Sequence, residues 1–110
     1  MSELLQPAFR VEQQQSADGL LIRLIGEMDL SSVDEARKPI LAAIDRDDGR
    51  PVVLDMSELE FIDSTGIRLL LEAHAASTAD SNRLSFRGVR EQVAQVLRVT
   101  GVDETINLNG

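Results

Sequence analysis

The sequence has no cysteine, no tryptophan and no tyrosine, and three phenylalanines are its only large aromatic side chains. Without cysteine the chain can form no disulfide bond and bind no zinc through sulfur. So few aromatic rings leave no platform on which the bases of a single-stranded nucleic acid could stack. The single histidine, His74, has no acidic or cysteine neighbour at metal-ligand spacing, so we expect no metal site.

Positive charge is also scarce: 11 basic residues face 19 acidic ones, which gives a formal net charge of −8 over 110 residues. Such a surface repels nucleic-acid phosphates and anionic lipids, so a basic patch on a protein is the better candidate partner. The first residues resemble no signal peptide, and no apolar run is long enough to insert into a membrane. We expect a cytoplasmic protein with a single domain over residues 1–110 and a core over about 8–108.

Apolar periodicity predicts strands and helices that alternate after an N-terminal hairpin. Residues 9–12 alternate as a strand, Asp18 and Gly19 form a turn signal, and residues 20–25 complete the hairpin. Further strands are predicted at residues 52–56, 83–87 and 105–108. The order β-β-α-β-α-β-α-β is typical of an α/β domain with a mixed sheet of about four or five strands, covered by helices.

Three amphipathic stripes predict the helices, and their members are Val33, Ala36, Ile40, Leu41 and Ile44; Ile67, Leu70, Leu71, His74, Ala75 and Thr78; and Val89, Val93, Val96 and Leu97. Ser32 and Glu35 have the spacing of a capping box before the first helix, which we expect to end near Asp45. Pro39 predicts a kink or a late start in that helix, and Gly101 is a candidate C-cap for the third.

Patterns of catalytic residues are missing. Ser64 does not lie in a G-x-S-x-G elbow, and His74 lies ten residues further along the helix that Ser64 precedes, too far for a triad. No glycine-rich phosphate loop is present. We therefore expect no enzyme, no catalytic residue and no cofactor.

One segment, residues 61–67 (FIDSTGI), is open to two interpretations. The simpler one makes Ser64 the N-cap of a helix that begins at Thr65, with Asp63 favoured by the helix dipole. The functional one makes Ser64 an exposed phosphate acceptor, because free N–H groups at a helix start can hold a phosphate. Thr65 and Gly66 favour the second, since both are poor helix formers and Gly66 lets a partner approach the backbone.

Three motifs in order resemble the STAS domain, specifically that of bacterial anti-sigma factor antagonists. They are residues 54–57 (LDMS) with 61–67, residues 26–29 (GEMD), and residues 96–102 (VLRVTGV) near the C-terminus. The resemblance covers about residues 8–108. It implies a sheet with helices packed mainly on one face.

The resemblance also implies a switch. Ser64 occupies the position that an anti-sigma factor serine kinase phosphorylates, Asp63 matches the motif aspartate, and Asp29 matches an acidic residue near the acceptor, while Thr65 and Gly66 complete its surroundings. The unphosphorylated protein would bind the kinase and so release the sigma factor, phosphorylation would end that binding, and a serine phosphatase would restore it. We expect Asp29 close to Ser64, because both strand ends should open onto one edge of the sheet.

A second hypothesis remains open. The chain could be a STAS subunit of a larger assembly, such as the accessory subunit of a lipid-trafficking ABC transporter, in which the fold serves as a scaffold. The intact D-S-T-G sequence favours the switch but does not exclude the scaffold.

Overall fold

The computed structural model describes residues 9–46, 49–80 and 83–106. They form four strands, three α-helices and one 3-10 helix in an α/β arrangement. These are β1 (Phe9–Ser16), β2 (Gly19–Met28), α1 (Val33–Asp45), β3 (Val52–Ile62), α2 (Ser64–Asp80), β4 (Leu84–Arg87), α3 (Glu91–Val99) and a 3-10 helix (Val102–Glu104).

The sheet is mixed and its strands follow chain order, β1-β2-β3-β4. β1 pairs antiparallel with β2 through the predicted turn, with Ser16 opposite Gly19, while β2, β3 and β4 run parallel. Parallel neighbours need crossover connections, which α1 and α2 supply. The predicted α/β class, hairpin and mixed sheet are confirmed.

Alternation along the strands divides the sheet into two faces. Leu20, Ile22 and Leu24 of β2 are buried, whereas the intervening Leu21 and Arg23 are only half-buried. α1 and α2 pack side by side on the buried face, as period-2 alternation under a helical layer requires. The opposite face carries ion pairs such as Arg23 with Glu58, whose atoms are 3.3 Å apart.

Helix α1 keeps its predicted stripe, its start after Ser32 and its end, but not the predicted capping bonds. The side chains of Val33, Ala36, Ile40 and Ile44 are buried, and the helix ends at Asp45. Ser32 makes no side-chain capping bond; its hydroxyl donates to the Glu27 carbonyl at 3.1 Å and accepts from Asp29 N–H at 3.0 Å. The capping box is therefore wrong. A late start at Pro39 is also wrong, because α1 runs through it; a kink there stays a prediction.

Helix α2 is rotated relative to the predicted stripe. Leu69 and Ala73 are fully buried, whereas Ala75 of the predicted stripe is exposed. Apolar residues cover much of this helix, so periodicity alone did not fix one face. In α3, Val93 and Leu97 are buried as predicted, but Val96 is 37% exposed.

The C-terminal part differs most from the prediction. α3 ends at Val99 with Thr100 as its C-cap, so the prediction of Gly101 as the C-cap is wrong by one residue. Gly101 follows at the next position with a positive φ of 81° and donates its N–H to the Arg98 carbonyl at 3.1 Å, as a glycine after a helix end commonly does. The predicted strand at residues 105–108 is wrong where it is described, because Thr105 follows a 3-10 helix and lies in a turn. Residues 107 and 108 lie outside the described residues. Within the described ranges, no helix is long and apolar enough to cross a membrane.

Candidate functional site

The site lies where the carboxyl ends of β2 and β3 meet. Met28 and Ile62 are partners in the parallel register, and the Asp63 N–H extends the ladder to the Met28 carbonyl at 3.2 Å. The loops that follow both strands therefore begin at the same edge of the sheet. Asp29 therefore lies close enough to Asp63, the residue before Ser64, for the two charges to interact. The predicted opening of both strand ends onto one edge is confirmed, and the proximity of Asp29 to Ser64 itself stays a prediction.

Asp63, rather than Ser64, caps helix α2. One Asp63 carboxylate oxygen, Oδ1, accepts the N–H of Thr65 at 2.9 Å, the N–H of Gly66 at 3.2 Å and the Thr65 hydroxyl at 2.5 Å. The Asp63 carbonyl accepts the N–H of Ile67 at 2.9 Å, which is the first bond of the helix. The prediction of a Ser64 N-cap is wrong by one residue, because α2 already begins at Ser64.

Hydrogen bonding stabilises the charged form of Asp63. The Thr65 hydroxyl contributes most to lowering the pKa of this carboxyl, and the N–H groups of Gly66, Thr65 and Leu30 add to it, whereas partial burial opposes them. The Leu30 N–H belongs to the loop after β2. The Asp63 carboxylate therefore lies next to that loop while it caps the start of α2.

The backbone of Ser64 is held in place, but its hydroxyl is exposed. Its side chain is exposed, and in the part of the chain that the structure describes its hydroxyl makes no side-chain hydrogen bond. The backbone that carries it is fixed on both sides by Asp63. A hydroxyl in this state is presented to a partner without an internal bond to break.

Asp29 organises the loop between β2 and α1. Its carboxylate accepts the Ser31 N–H at 3.0 Å, the Ser31 hydroxyl at 2.7 Å and the Ser32 hydroxyl at 3.2 Å. The Ser31 hydroxyl bond is the main cause of a lowered pKa for Asp29, while desolvation and the negative charge of Asp63 oppose it. The two neighbouring carboxylates are thus held in their ionised form by hydrogen bonds, and within the described residues neither forms an ion pair.

The two residues after Ser64 have structural roles. The Thr65 hydroxyl is held by Asp63, as above. Gly66 is buried, and a Cβ built on it would lie 2.6 Å from Cγ1 of Ile62 and 3.1 Å from Cε of Met28. The close approach that Gly66 permits is therefore to the core, and the interpretation that it opens backbone to a partner is wrong.

Another motif residue, Asp55, also has a structural role. Asp55 is buried in β3, accepts the Ser57 N–H at 3.0 Å and pairs with Arg87 of β4 at 3.4 Å. Burial acts to raise the pKa of Asp55, but the hydrogen bonds from Ser57 and Arg87 outweigh it and hold the pKa below its ordinary value.

Two apolar side chains at this edge were not singled out from the sequence. Leu30 is 75% exposed in the loop after β2, and Phe61 is 48% exposed near the end of β3. The prediction that β3 ends at Met56 placed Phe61 in a connecting loop, whereas the strand continues to Ile62. The apolar Phe61 at the end of the strand was the sequence feature from which an exposed apolar side chain could have been predicted. In residues 9–46, 49–80 and 83–106, no three His, Cys, Asp or Glu side chains cluster as metal ligands do.

These features define one class of α/β domain. The sheet is mixed and four-stranded with an N-terminal hairpin, two crossover helices lie on one face, and the second helix begins with a serine directly after its capping aspartate. The family described as Mlab, STAS domain matches residues 11–108. The chain therefore belongs to the STAS domain family.

Curated relatives of the chain are anti-sigma factor antagonists. It is 23% identical over 88 residues to the anti-sigma-B factor antagonist of Staphylococcus aureus (strain NCTC 8325), covering 80% of this chain and 81% of that one. It is 26% identical over 93 residues to the anti-sigma F factor antagonist of Paenibacillus polymyxa, covering 84% and 80%.

Solved structures with this fold include anti-sigma factor antagonists and a chain of a larger complex. The anti-sigma factor antagonist SpoIIAA in its unphosphorylated form aligns with a TM-score of 0.70 at 26% identity, covering 90% of this chain and 85% of that one. SpoIIAA from Bacillus in its phosphorylated form aligns with a TM-score of 0.67 at 25% identity, covering 90% and 88%. A chain of the Acinetobacter MlaFEDB complex in an ATP-bound conformation aligns with a TM-score of 0.69 at 19% identity, covering 89% and 99%.

Proposed function

We propose that this protein is a cytoplasmic anti-sigma factor antagonist and a binding module rather than an enzyme. Its unphosphorylated form binds an anti-sigma factor serine kinase and thereby frees a sigma factor. The kinase transfers the γ-phosphoryl group of ATP to the Ser64 hydroxyl, which ends the complex, and a serine phosphatase reverses the modification. Antagonist relatives over four fifths of the chain support this assignment.

The observation that carries the proposal is the state of Ser64. Its exposed hydroxyl makes no side-chain hydrogen bond within the described residues. Asp63 holds the backbone on either side of it, through its N–H to Met28 and through its carboxylate to Thr65 and Gly66. An acceptor must enter the active site of another protein, so its hydroxyl has to be exposed, and a held backbone favours a reactive orientation. In the transfer, the Ser64 oxygen bonds to the γ-phosphorus, the bond to ADP breaks, and the hydroxyl proton goes to a base of the kinase.

Exposed apolar surface beside Ser64 supports a protein partner. Leu30 and Phe61, exposed at 75% and 48%, belong to the two loop-and-strand segments that meet at this edge. Large apolar side chains surrounded by polar groups are typical of the centre of an interface. Docking a protein here would bury both side chains together with Ser64.

Phosphorylation would oppose docking through charge alone. A phosphate adds about −1.5 to −2 charges at pH 7, beside the ionised carboxylates of Asp29 and Asp63. The N–H groups of Thr65 and Gly66 are already bonded to Asp63. These two N–H groups are therefore not available to bind the phosphate, contrary to what the sequence suggested, and a docking partner would have to desolvate it.

The proposal is tested by pull-down of the cognate anti-sigma kinase, with and without ATP. Wild type should bind without ATP, lose binding with ATP and carry one phosphate at Ser64. Ser64→Ala should stay bound in both conditions, and Ser64→Asp should bind poorly in both. Gln95→Glu on α3 is the matched control, since it adds one negative charge at an exposed position elsewhere. Phosphate on Thr65 or Ser57 instead, or equal retention of all variants, would refute the assignment.

If Asp29 contributes to the repulsion, Asp29→Asn should recover part of the binding that Ser64→Asp loses. Asparagine keeps an oxygen for the bonds from Ser31 and Ser32 but removes the charge. A drop of several degrees in thermal stability with unchanged binding would make Asp29 purely a loop residue.

A second candidate function is that of a STAS subunit in a larger assembly such as a lipid-trafficking ABC transporter. The family description, Mlab, and the similarity to a chain of the MlaFEDB complex favour it. In that case the chain would co-purify with an ATPase subunit encoded nearby, and ATP would add no phosphate to Ser64. A neighbouring gene for a kinase of the histidine-kinase-like ATPase fold favours the antagonist instead.

A further inference from the structure

Arg68 is an exposed cation one helical turn after Ser64. Both residues lie in α2 at a spacing of four, so their side chains share one face of the helix. Within the described residues Arg68 takes part in no ion pair or side-chain hydrogen bond. Helical side chains also lean towards the N-terminus of their helix, and for Arg68 this direction is that of Ser64.

The acidic residue that follows in the same row is already engaged. Glu72, one further turn along α2, forms an ion pair with Arg37 of α1, which also bonds Asp34 at 3.3 Å. The row thus reads Ser64, Arg68, Glu72 and then Arg37 across the helix pair. Its charges alternate except at the first position, where Ser64 is neutral.

We propose that Arg68 is the residue that binds the phosphate of phosphorylated Ser64. The proposal rests on the proposed function, since it assigns a role within the phosphorylated state. Asp63 occupies the Thr65 and Gly66 N–H groups that would otherwise bind an anion, and Asp29 and Asp63 both repel it. Arg68 is the cation on the same helix face, with five donors suited to phosphate oxygens.

Binding by Arg68 changes what the modification does to the surface. It turns the phosphate towards α2 and withdraws the cation that the unmodified protein presents beside Ser64. The phosphorylated form would then differ from the unmodified form by a new anion and by the loss of an available arginine. A partner that pairs an acidic side chain with Arg68 would detect both changes.

The test uses protein with phosphoserine inserted at position 64 during translation, so that no kinase is needed. Phosphorus NMR measures the second pKa of the phosphate, on which Asp29, Asp63 and Arg68 act. Arg68→Gln should raise that pKa by about 0.3 of a unit, the equivalent of one helical ion pair. Arg68→Lys should retain most of the wild-type value because it keeps the charge.

The control is Arg90→Gln, which removes the same charge from an exposed arginine before α3. It should move the phosphate pKa much less than Arg68→Gln does. Equal shifts in the two variants, or no shift in Arg68→Gln, would overturn the proposal. Because the phosphate is inserted directly, a failure of the kinase to modify Ser64 would refute the proposed function and leave this measurement valid.

Discussion

The Asp63 carboxylate accepts both the N–H and the hydroxyl of Thr65, at 2.9 and 2.5 Å, across the exposed Ser64 between them. Asp63 therefore stabilises the start of the helix, whereas the exposed hydroxyl belongs to a different residue, Ser64. Asp63 satisfies the N–H groups that a helix start leaves unpaired, and Ser64 makes none of these bonds. This division has a direct consequence for stability.

Asp63→Ala should lower the free energy of unfolding by about 1 kcal/mol, the usual loss for an N-cap. Ser64→Ala should change it by less than about 0.5 kcal/mol, as expected for an exposed position without a partner. Urea denaturation of the two variants beside wild type measures both values. The reverse order would restore Ser64 as the cap and remove the argument that its hydroxyl is unengaged.

How far the sequence could predict this site is clear from the same two residues. Asp and Ser are equally good N-caps, so the local sequence allowed either. Tertiary structure determines which of the two residues is the N-cap. β3 continues to Ile62, and the Asp63 N–H then bonds to the carbonyl of Met28 in the neighbouring strand. Once that ladder bond forms, Asp63 is the last residue before the helix. No pattern within α2 carries this information.

Elements defined by local chemistry were predicted better. The turn at Asp18 and Gly19 depends on neighbours in sequence and was predicted correctly, and a glycine with positive φ follows α3 one residue beyond the predicted C-cap. The capping box at Ser32 failed because Ser32 instead bonds to Glu27 and Asp29 across a loop. The rotation of α2 likewise depends on α1, which packs beside it.

The lowered pKa of Asp63 predicts a pH dependence. Its ordinary value is 3.8, and hydrogen bonds, that of the Thr65 hydroxyl foremost, lower it in the folded state. The ionised carboxylate therefore stabilises the native state at pH values above 3.8, and this stabilisation is lost as the pH falls through the folded pKa. Asp63→Asn should be less stable than wild type near neutral pH, and the gap should close below pH 3.8. Urea midpoints measured over that range test this, and a gap independent of pH would contradict it.

Gly66 should tolerate no larger side chain, although it lies in a helix where alanine is intrinsically better by about 1 kcal/mol. A Cβ at 2.6 Å from Cγ1 of Ile62 must displace a buried side chain near its backbone. We expect Gly66→Ala to lower the free energy of unfolding by about 1 to 3 kcal/mol, the usual cost of overpacking. In an Ile62→Ala background the same change should cost less, and a double-mutant cycle measures that coupling. Additive effects would show that Ile62 is not the obstacle.

Leu30 and Phe61 should be required for binding the partner and dispensable for folding. Val99, exposed at 82% on α3, is the matched control for Leu30, exposed at 75%. Leu30→Ser, Phe61→Ser and Val99→Ser should each change the free energy of unfolding by less than about 0.5 kcal/mol, because exposed side chains make few contacts. Against the proposed partner, an anti-sigma kinase, Leu30→Ser and Phe61→Ser should each weaken binding by at least about 1 kcal/mol, or roughly fivefold in Kd. Val99→Ser should leave Kd unchanged.

Titration calorimetry on the three variants distinguishes the surface around Leu30 and Phe61 from that of α3. Loss of binding in Val99→Ser alone would place the interface on α3, away from Ser64. A phosphate at Ser64 would then have no direct way to disrupt the complex.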